Sequence, residues 1–190
     1  MTTRMVFEAL IIKDNLKIVE LKLGKMRHKV PDVISKALNR AVEATKTQAV
    51  KKTAGIYYLK QTDIRGKIKV YKSSKTSLRA SAVSADRKLP IEAFKIRPNK
   101  PKPKKPPLIM VEIHRGKPKL FPGAFVIPNL KVYERLGKER YPIKRIWGPA
   151  IPQLIGGKKI RVDVQIESQK TYEKRLDHEI KRVLAAVGKK

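Results

Sequence analysis

The sequence predicts an α+β protein: a small antiparallel β-sheet flanked by a long alanine-rich N-terminal helix and a C-terminal helix, with an extended Pro/Lys-rich arm. Three observations predict it. From Phe121 to Ile146 (FPGAFVIPNLKVYERLGKERYPIKRI) apolar and charged residues interleave at Val132, Tyr133 and Arg135, and again at Ile143, Lys144 and Ile146. Turn formers at Pro122-Gly123, Pro128-Asn129 and Leu136-Gly137-Lys138 break that stretch into short runs, the mark of antiparallel strands with tight connections. Helical patterns lie on both sides of it, placed to pack on one face.

Taking the chain in order, Met5–Ile12 is β-leaning and Asp14-Asn15 reads as a turn or N-cap. Leu16, Val19, Leu23 and Met26 recur at helical spacing and predict a short helix over 15–29. Pro31-Asp32 opens a longer one, since proline suits a first helical turn. Val33/Ile34, Ala37/Leu38, Ala41, Ala44/Thr45 and Gln48/Ala49 then form a single stripe, ending near Gly55. So many alanines let a neighbouring element approach closely, and a core face explains the stripe more simply than a subunit interface. Thr62-Asp63 reads as the N-cap of a basic helix through about Val70, weakened by Gly66. Leu78–Ala85 and Ile91–Ile96 alternate as two strands.

The most biased segment follows. Residues 97–107 (RPNKPKPKKPP) hold five prolines, five basic residues and no acid. Proline at that density blocks helix and sheet pairing and leaves an extended arm or loop. Leu108–His114 reads as a strand turning at Arg115-Gly116-Lys117, and Trp147–Pro152 as a Pro/Gly connection. Ile160, Val162, Val164 and Ile166 alternate strictly, which favours a strand, although the same residues fit equally into the helix that follows. In that helix Tyr172, Leu176, Ile180, Val183/Leu184 and Val187 share a stripe, with Ser168 as N-cap and Gly188 as stop.

A chain of 190 residues fits one domain over 1–190, the arm at 97–107 lying within it but outside its core. No apolar run reaches the length of a membrane span, and with no cysteine there is neither a disulfide framework nor a thiol nucleophile. Lys and Arg number 46 against 16 Asp and Glu, a formal charge of +30, which calls for a polyanionic partner or an assembly that absorbs the surplus.

Catalytic motifs are missing. The three histidines, His28, His114 and His178, fall in no metal-ligand pattern. Asp177-His178-Glu179 are neighbours on a helix and point in different directions. Gly156-Gly157-Lys158-Lys159 lacks the spacing of a phosphate-binding loop and reads as a turn. The sequence implies no cofactor and no enzyme. It carries no zinc finger, RNP-type motif or helix-turn-helix spacing, and Trp147 and the tyrosines are not interleaved with arginines as base-stacking platforms would be. Nucleic acid would therefore be met through its backbone. Arg97, Lys100, Lys102, Lys104 and Lys105 of the arm are the candidate contacts, with DNA or with a neighbouring protein.

Leu38-Asn39-Arg40-Ala41, Pro122-Gly123-Ala124-Phe125-Val126, Arg140-Tyr141-Pro142-Ile143, the Pro149–Leu154 connection and the basic C-terminal helix occur in this order. From about residue 25 to the C-terminus the chain resembles the minor tail protein Z family of long-tailed, lambda-like phages, also called tail completion proteins. Pro122, Gly123, Phe125, Arg140, Tyr141 and Pro142 are its sharpest motif residues. Met5–Ile12 and Ile160–Ile166 depart from the family pattern, and the arm matches it only as a basic stretch before the Pro-Gly-Ala-Phe strand.

The resemblance implies a structural virion protein, assembled in the host cytoplasm, that completes the head-proximal end of the tail and helps position or retain the genome end. It implies a ring, as in related hexameric neck proteins, contacts with tail terminator, tail tube or head-connector proteins, double-stranded DNA in the lumen, and no catalytic residue. Charge arithmetic divides the work. A domain of this length spans roughly 40 Å, and duplex of that length offers about 24 phosphates, whereas six copies at +30 each carry about +180. Most of the cations must therefore meet acidic proteins, counterions or solvent. The alternative is a free, sequence-nonspecific nucleic-acid-binding protein.

Overall fold

A computed structural model describes residues 2–9, 13–98, 108–127 and 131–187. The fold is α+β, with a long alanine-rich helix, a long C-terminal helix and antiparallel strands, as expected. The strands divide into three three-stranded sheets instead of one. The first joins β1 (Thr3–Ala9), β3 (Ala80–Asp86) and β2 (Ile68–Tyr71), with β3 in the centre. The second joins β4 (Lys95–Arg97), β5 (Ile109–His114) and β6 (Lys117–Phe121). The third joins β7 (Ala124–Ile127), β8 (Lys131–Arg135) and β9 (Ile143–Arg145).

The core forms around α2 (Val30–Ile56), with Pro31 in its first turn. Val33, Ile34, Ala37, Leu38, Ala41, Val42, Ala49 and Val50 are all buried, so the alanine stripe is a core face of this chain. Burying each Ile or Leu of that face contributes roughly 2 kcal/mol. The groove left by the alanines receives α5 (Lys158–Val187), whose Ile160, Val164, Tyr172, Leu176 and Ile180 are buried. Thr45 Oγ1 lies 2.7 Å from Ser168 Oγ across this contact, and Lys52 pairs with Asp163 at 3.4 Å. Phe7 of β1 and the short α4 (Ile151–Ile155) close the core from the side of the first sheet.

Ile160–Ile166, left open between strand and helix, is helical; Ser168 sits inside α5 as a helix-to-helix contact, which corrects its reading as the N-cap. An i, i+2, i+4, i+6 apolar run contains i,i+4 pairs on two faces of a helix; the Ile160/Val164 pair is buried while Val162 and Ile166 are exposed. The helix expected over 62–70 is α3 (Gln61–Gly66), preceded by Lys60 with no side-chain cap, and Thr62 and Asp63 lie within it. Gly66 ends it, and the chain then enters β2, burying Ile68 against the core.

Asp14 and Asn15 lie within α1 (Lys13–Leu23), and the continuation to residue 29 is a 3₁₀ segment, Gly24–Lys29, begun by a positive φ at Gly24. Ile91–Ile96 is not one strand. Pro90 turns the chain into a 3₁₀ turn, Ile91–Ala93, that sinks Ile91 into the core before β4 begins. Gly156-Gly157 is a turn, as expected, between α4 and α5. The turn at Pro128-Asn129 and the stop at Gly188 lie outside the described residues.

Candidate partner-contact site

The second sheet is tied to the C-terminal end of α2. Arg115 donates from its backbone N–H to Ile56 O at 2.9 Å and from Nε to Ala54 O at 3.1 Å, satisfying carbonyls that a helix end leaves open. Its guanidinium and the Lys95 ammonium both lie 4.4 Å from the Tyr58 ring centre. Glu112 completes this knot: Oε2 lies 2.8 Å from Lys95 Nζ, and Oε1 accepts the Gly116 N–H at 2.7 Å. The hydrogen bond from Lys95 holds the Glu112 carboxyl below its ordinary range, and the same bond raises the Lys95 ammonium. The β5–β6 hairpin, turning at Gly116 with φ +74°, is thus set rigidly on α2.

The third sheet is fixed through Glu92, whose Oε1 accepts the Val132 N–H at 2.8 Å and lies 3.5 Å from Arg145 Nη2. Ile146 N–H donates to Val132 O at 3.1 Å, and Gly148 N–H to Leu89 O at 2.8 Å.

These two sheets bring Arg97 and the motif residues from Pro122 to Pro142 toward one end. Register places Arg97 opposite Met110, and Met110 opposite Leu120, so Arg97 and Leu120 are two strand spacings apart, about 10 Å. Pro122-Gly123 follows directly and turns β6 into β7, with Gly123 at φ +79°, a conformation that glycine adopts without strain. Ala124 pairs with Glu134 and Arg135 with Ile143, so the connection 136–142, carrying Arg140, Tyr141 and Pro142, leaves the third sheet at the same end. Leu136 N–H donates to Pro142 O at 3.2 Å and closes that loop. Phe125 pairs with Tyr133 and lies under the Arg135 guanidinium at 5.8 Å.

Arg97 and Leu108, the two roots of the arm, emerge here as well. Lys100, Lys102, Lys104 and Lys105 lie outside the described residues. The end of the second and third sheets therefore gathers both family motifs and both roots of the arm. It is apolar and cationic at once: Leu108 (61% exposed), Leu136 (61%) and Tyr141 (65%) share this end with Arg97, Arg135, Lys138 and Arg140, with Glu134 and Glu139 the acids of the 131–142 stretch.

One sequence reading is corrected at this point. Cations and aromatic rings are interleaved in space: besides Tyr58 and Phe125, Arg140 lies 5.9 Å from the Tyr141 ring and Arg145 4.9 Å from the Trp147 ring. The signal stood in the sequence as Arg140-Tyr141 and Arg145-x-Trp147. Each ring is already faced by a side-chain cation, which suits a surface anchor better than an open base-stacking platform. Arg135 and Leu136 were read only as the end of a strand and the start of a turn, because an exposed residue at a strand end carries no signal of its own.

Among the described residues no three His, Asp or Glu side chains converge to hold a metal ion, and no helix is long and apolar enough to cross a membrane.

No curated protein and no solved structure matches this chain. A family model described as "Prophage minor tail protein Z (GPZ)" matches residues 17–190, a span that begins within α1 and takes in the second and third sheets with all the motif residues named above. The chain belongs to the prophage minor tail protein Z family, structural proteins of the phage tail that are carried in the virion and meet other virion proteins.

Proposed function

We propose that this chain, acting as one tail-completion domain over residues 1–190, finishes the head-proximal end of the tail as a subunit of a ring, a hexamer by analogy with neck proteins. The convergence of the Pro122-Gly123 turn, the Arg140–Pro142 loop and both arm roots at one sheet end carries this reading. In this account that end is the surface that docks on a tail terminator, tail tube or head-connector protein. Exposed Leu136 and Tyr141 supply the buried anchors of such an interface, and Arg97, Arg135 and Arg140 its charged rim.

The arm cations Lys100, Lys102, Lys104 and Lys105 extend this surface toward either the genome end in the lumen or an acidic neighbour. The role is mechanical, with no catalytic step. Changing those four lysines to Gln in a phage complementation assay tests the arm. Tails that join heads and then lose DNA assign it to the genome, tails that fail to join assign it to a protein, and normal particles remove it from the account. A free nucleic-acid binder would instead hold duplex tightly by itself, with affinity falling steeply as salt rises.

A further inference from the structure

The first sheet buries one face against α2 and α4, and among the described residues the other is left open. In an antiparallel sheet with one solvated face, outward positions are normally polar. Here the outward row of central β3 is Ser81, Val83 and Ala85, and register sets Val6 and Lys69 on either side of Val83, with Arg4 beside Ala85. Short side chains in the central strand and long ones on its flanks make a trough of ≈ 500 Å³, lined by Arg4, Lys67, Lys69, Tyr71, Val83 and Ala85.

Its floor is apolar and its walls are cationic. Lys67 pairs with Asp86 at 3.4 Å. Arg4 and Lys69 have no carboxylate partner among the residues whose side chains are described, and Tyr71 is 56% exposed at the rim.

We infer that this trough docks an acidic amphipathic segment of another virion protein, its apolar side on Val83 and Ala85 and its carboxylates on Arg4 and Lys69. Charge complementarity selects that occupant. A second copy of a chain carrying +30 would bring like charge to the same walls. Duplex DNA would find the cations but leave the apolar floor unused, since a phosphate backbone has nothing to bury there. The wall supplied by β1 lies outside residues 17–190, so Arg4 and Val6 come from the part of the chain that the family match does not include. The trough is a surface separate from the site on the second and third sheets.

The full-length protein titrated into a fluorescein-labelled amphipathic peptide, with leucines on one face and glutamates on its flanks, tests this by fluorescence anisotropy. The peptide is expected to bind more tightly than polyglutamate of equal charge or a labelled duplex. Arg4→Glu with Lys69→Glu should weaken it about tenfold, while the exposed charge reversal Lys174→Glu on α5 leaves it unchanged. Equal loss from Lys174→Glu, equal binding of polyglutamate, or tighter binding of the duplex would each overturn the inference.

Discussion

Asn39 holds Ser73 by both of its backbone groups: the Asn39 Oδ1 accepts the Ser73 N–H at 2.7 Å, and Nδ2 donates to Ser73 O at 3.0 Å. Ser35 Oγ donates to the same carbonyl at 3.1 Å. A loop residue with no sheet partner is thereby pinned to α2, directly after β2, and the start of the 72–79 connection is fixed. Asn39 belongs to the Leu38-Asn39-Arg40-Ala41 stretch that helped carry the family resemblance, and this clamp gives a physical reason for asparagine there. Asn39→Ala leaves the Ser73 N–H without its partner and should cost about 2 kcal/mol in urea unfolding.

Gly148 carries a second packing constraint. A Cβ at this position would stand 2.5 Å from Phe94 Cε2 and 3.4 Å from Ile91 Cδ1, both buried side chains. Gly148→Ala should destabilise the fold by about 1–3 kcal/mol. Gly137→Ala, with open space around it, should leave the unfolding midpoint where it is.

The helical assignment of 160–166 separates two neighbouring valines. Were this segment a strand, Val162 and Val164 would share a face and tolerate charge equally badly. In α5, Val164 is fully buried against α2 while Val162 is exposed. Val164→Asp should cost about 4 kcal/mol or more, and Val162→Asp within about 0.5 kcal/mol of nothing, both read from denaturant midpoints.

Acid should weaken the fold through two carboxylates. The hydrogen bond from Lys36 is the main cause of the lowered Asp32 pKa, with Lys75 adding to it, and Glu112 is lowered first by Lys95 and then by the Gly116 N–H. A folded pKa below the unfolded one means stability present above the ordinary carboxylate value, about 4, and lost as pH falls through the folded value. Unfolding midpoints should drop below about pH 4, and Asp32→Asn with Glu112→Gln should flatten that drop. Lys95, raised by Glu112, acts in the opposite sense, its contribution disappearing only as pH rises through its folded value.

Much of this was legible in the sequence, for identifiable reasons. The α2 stripe spans many turns, so its period could not be mistaken, and Gly116 and Gly123 punctuated real turns. The sequence left the answer open, or pointed to the wrong boundary, where a local pattern had two physical solutions. Ile160–Val164 alternates and also repeats at i,i+4, and only the alanine groove of α2 decides between them. Thr62-Asp63 has cap chemistry, but the helix had already begun at Gln61 and ended at Gly66. Of the site, the Pro122-Gly123 turn was legible. The meeting of the motifs and the arm roots at one sheet end was not, because it depends on the strand register from β4 to β9.

That meeting point is also where the account is most exposed. In a phage lacking this chain, complementation with the wild type should restore filled heads joined to tails, counted by electron microscopy. Leu136→Asp with Tyr141→Asp, both at exposed positions and expected to leave the unfolding midpoint unchanged, should leave heads and tails apart. Particles joined at the wild-type frequency would contradict the claim that this sheet end docks the tail.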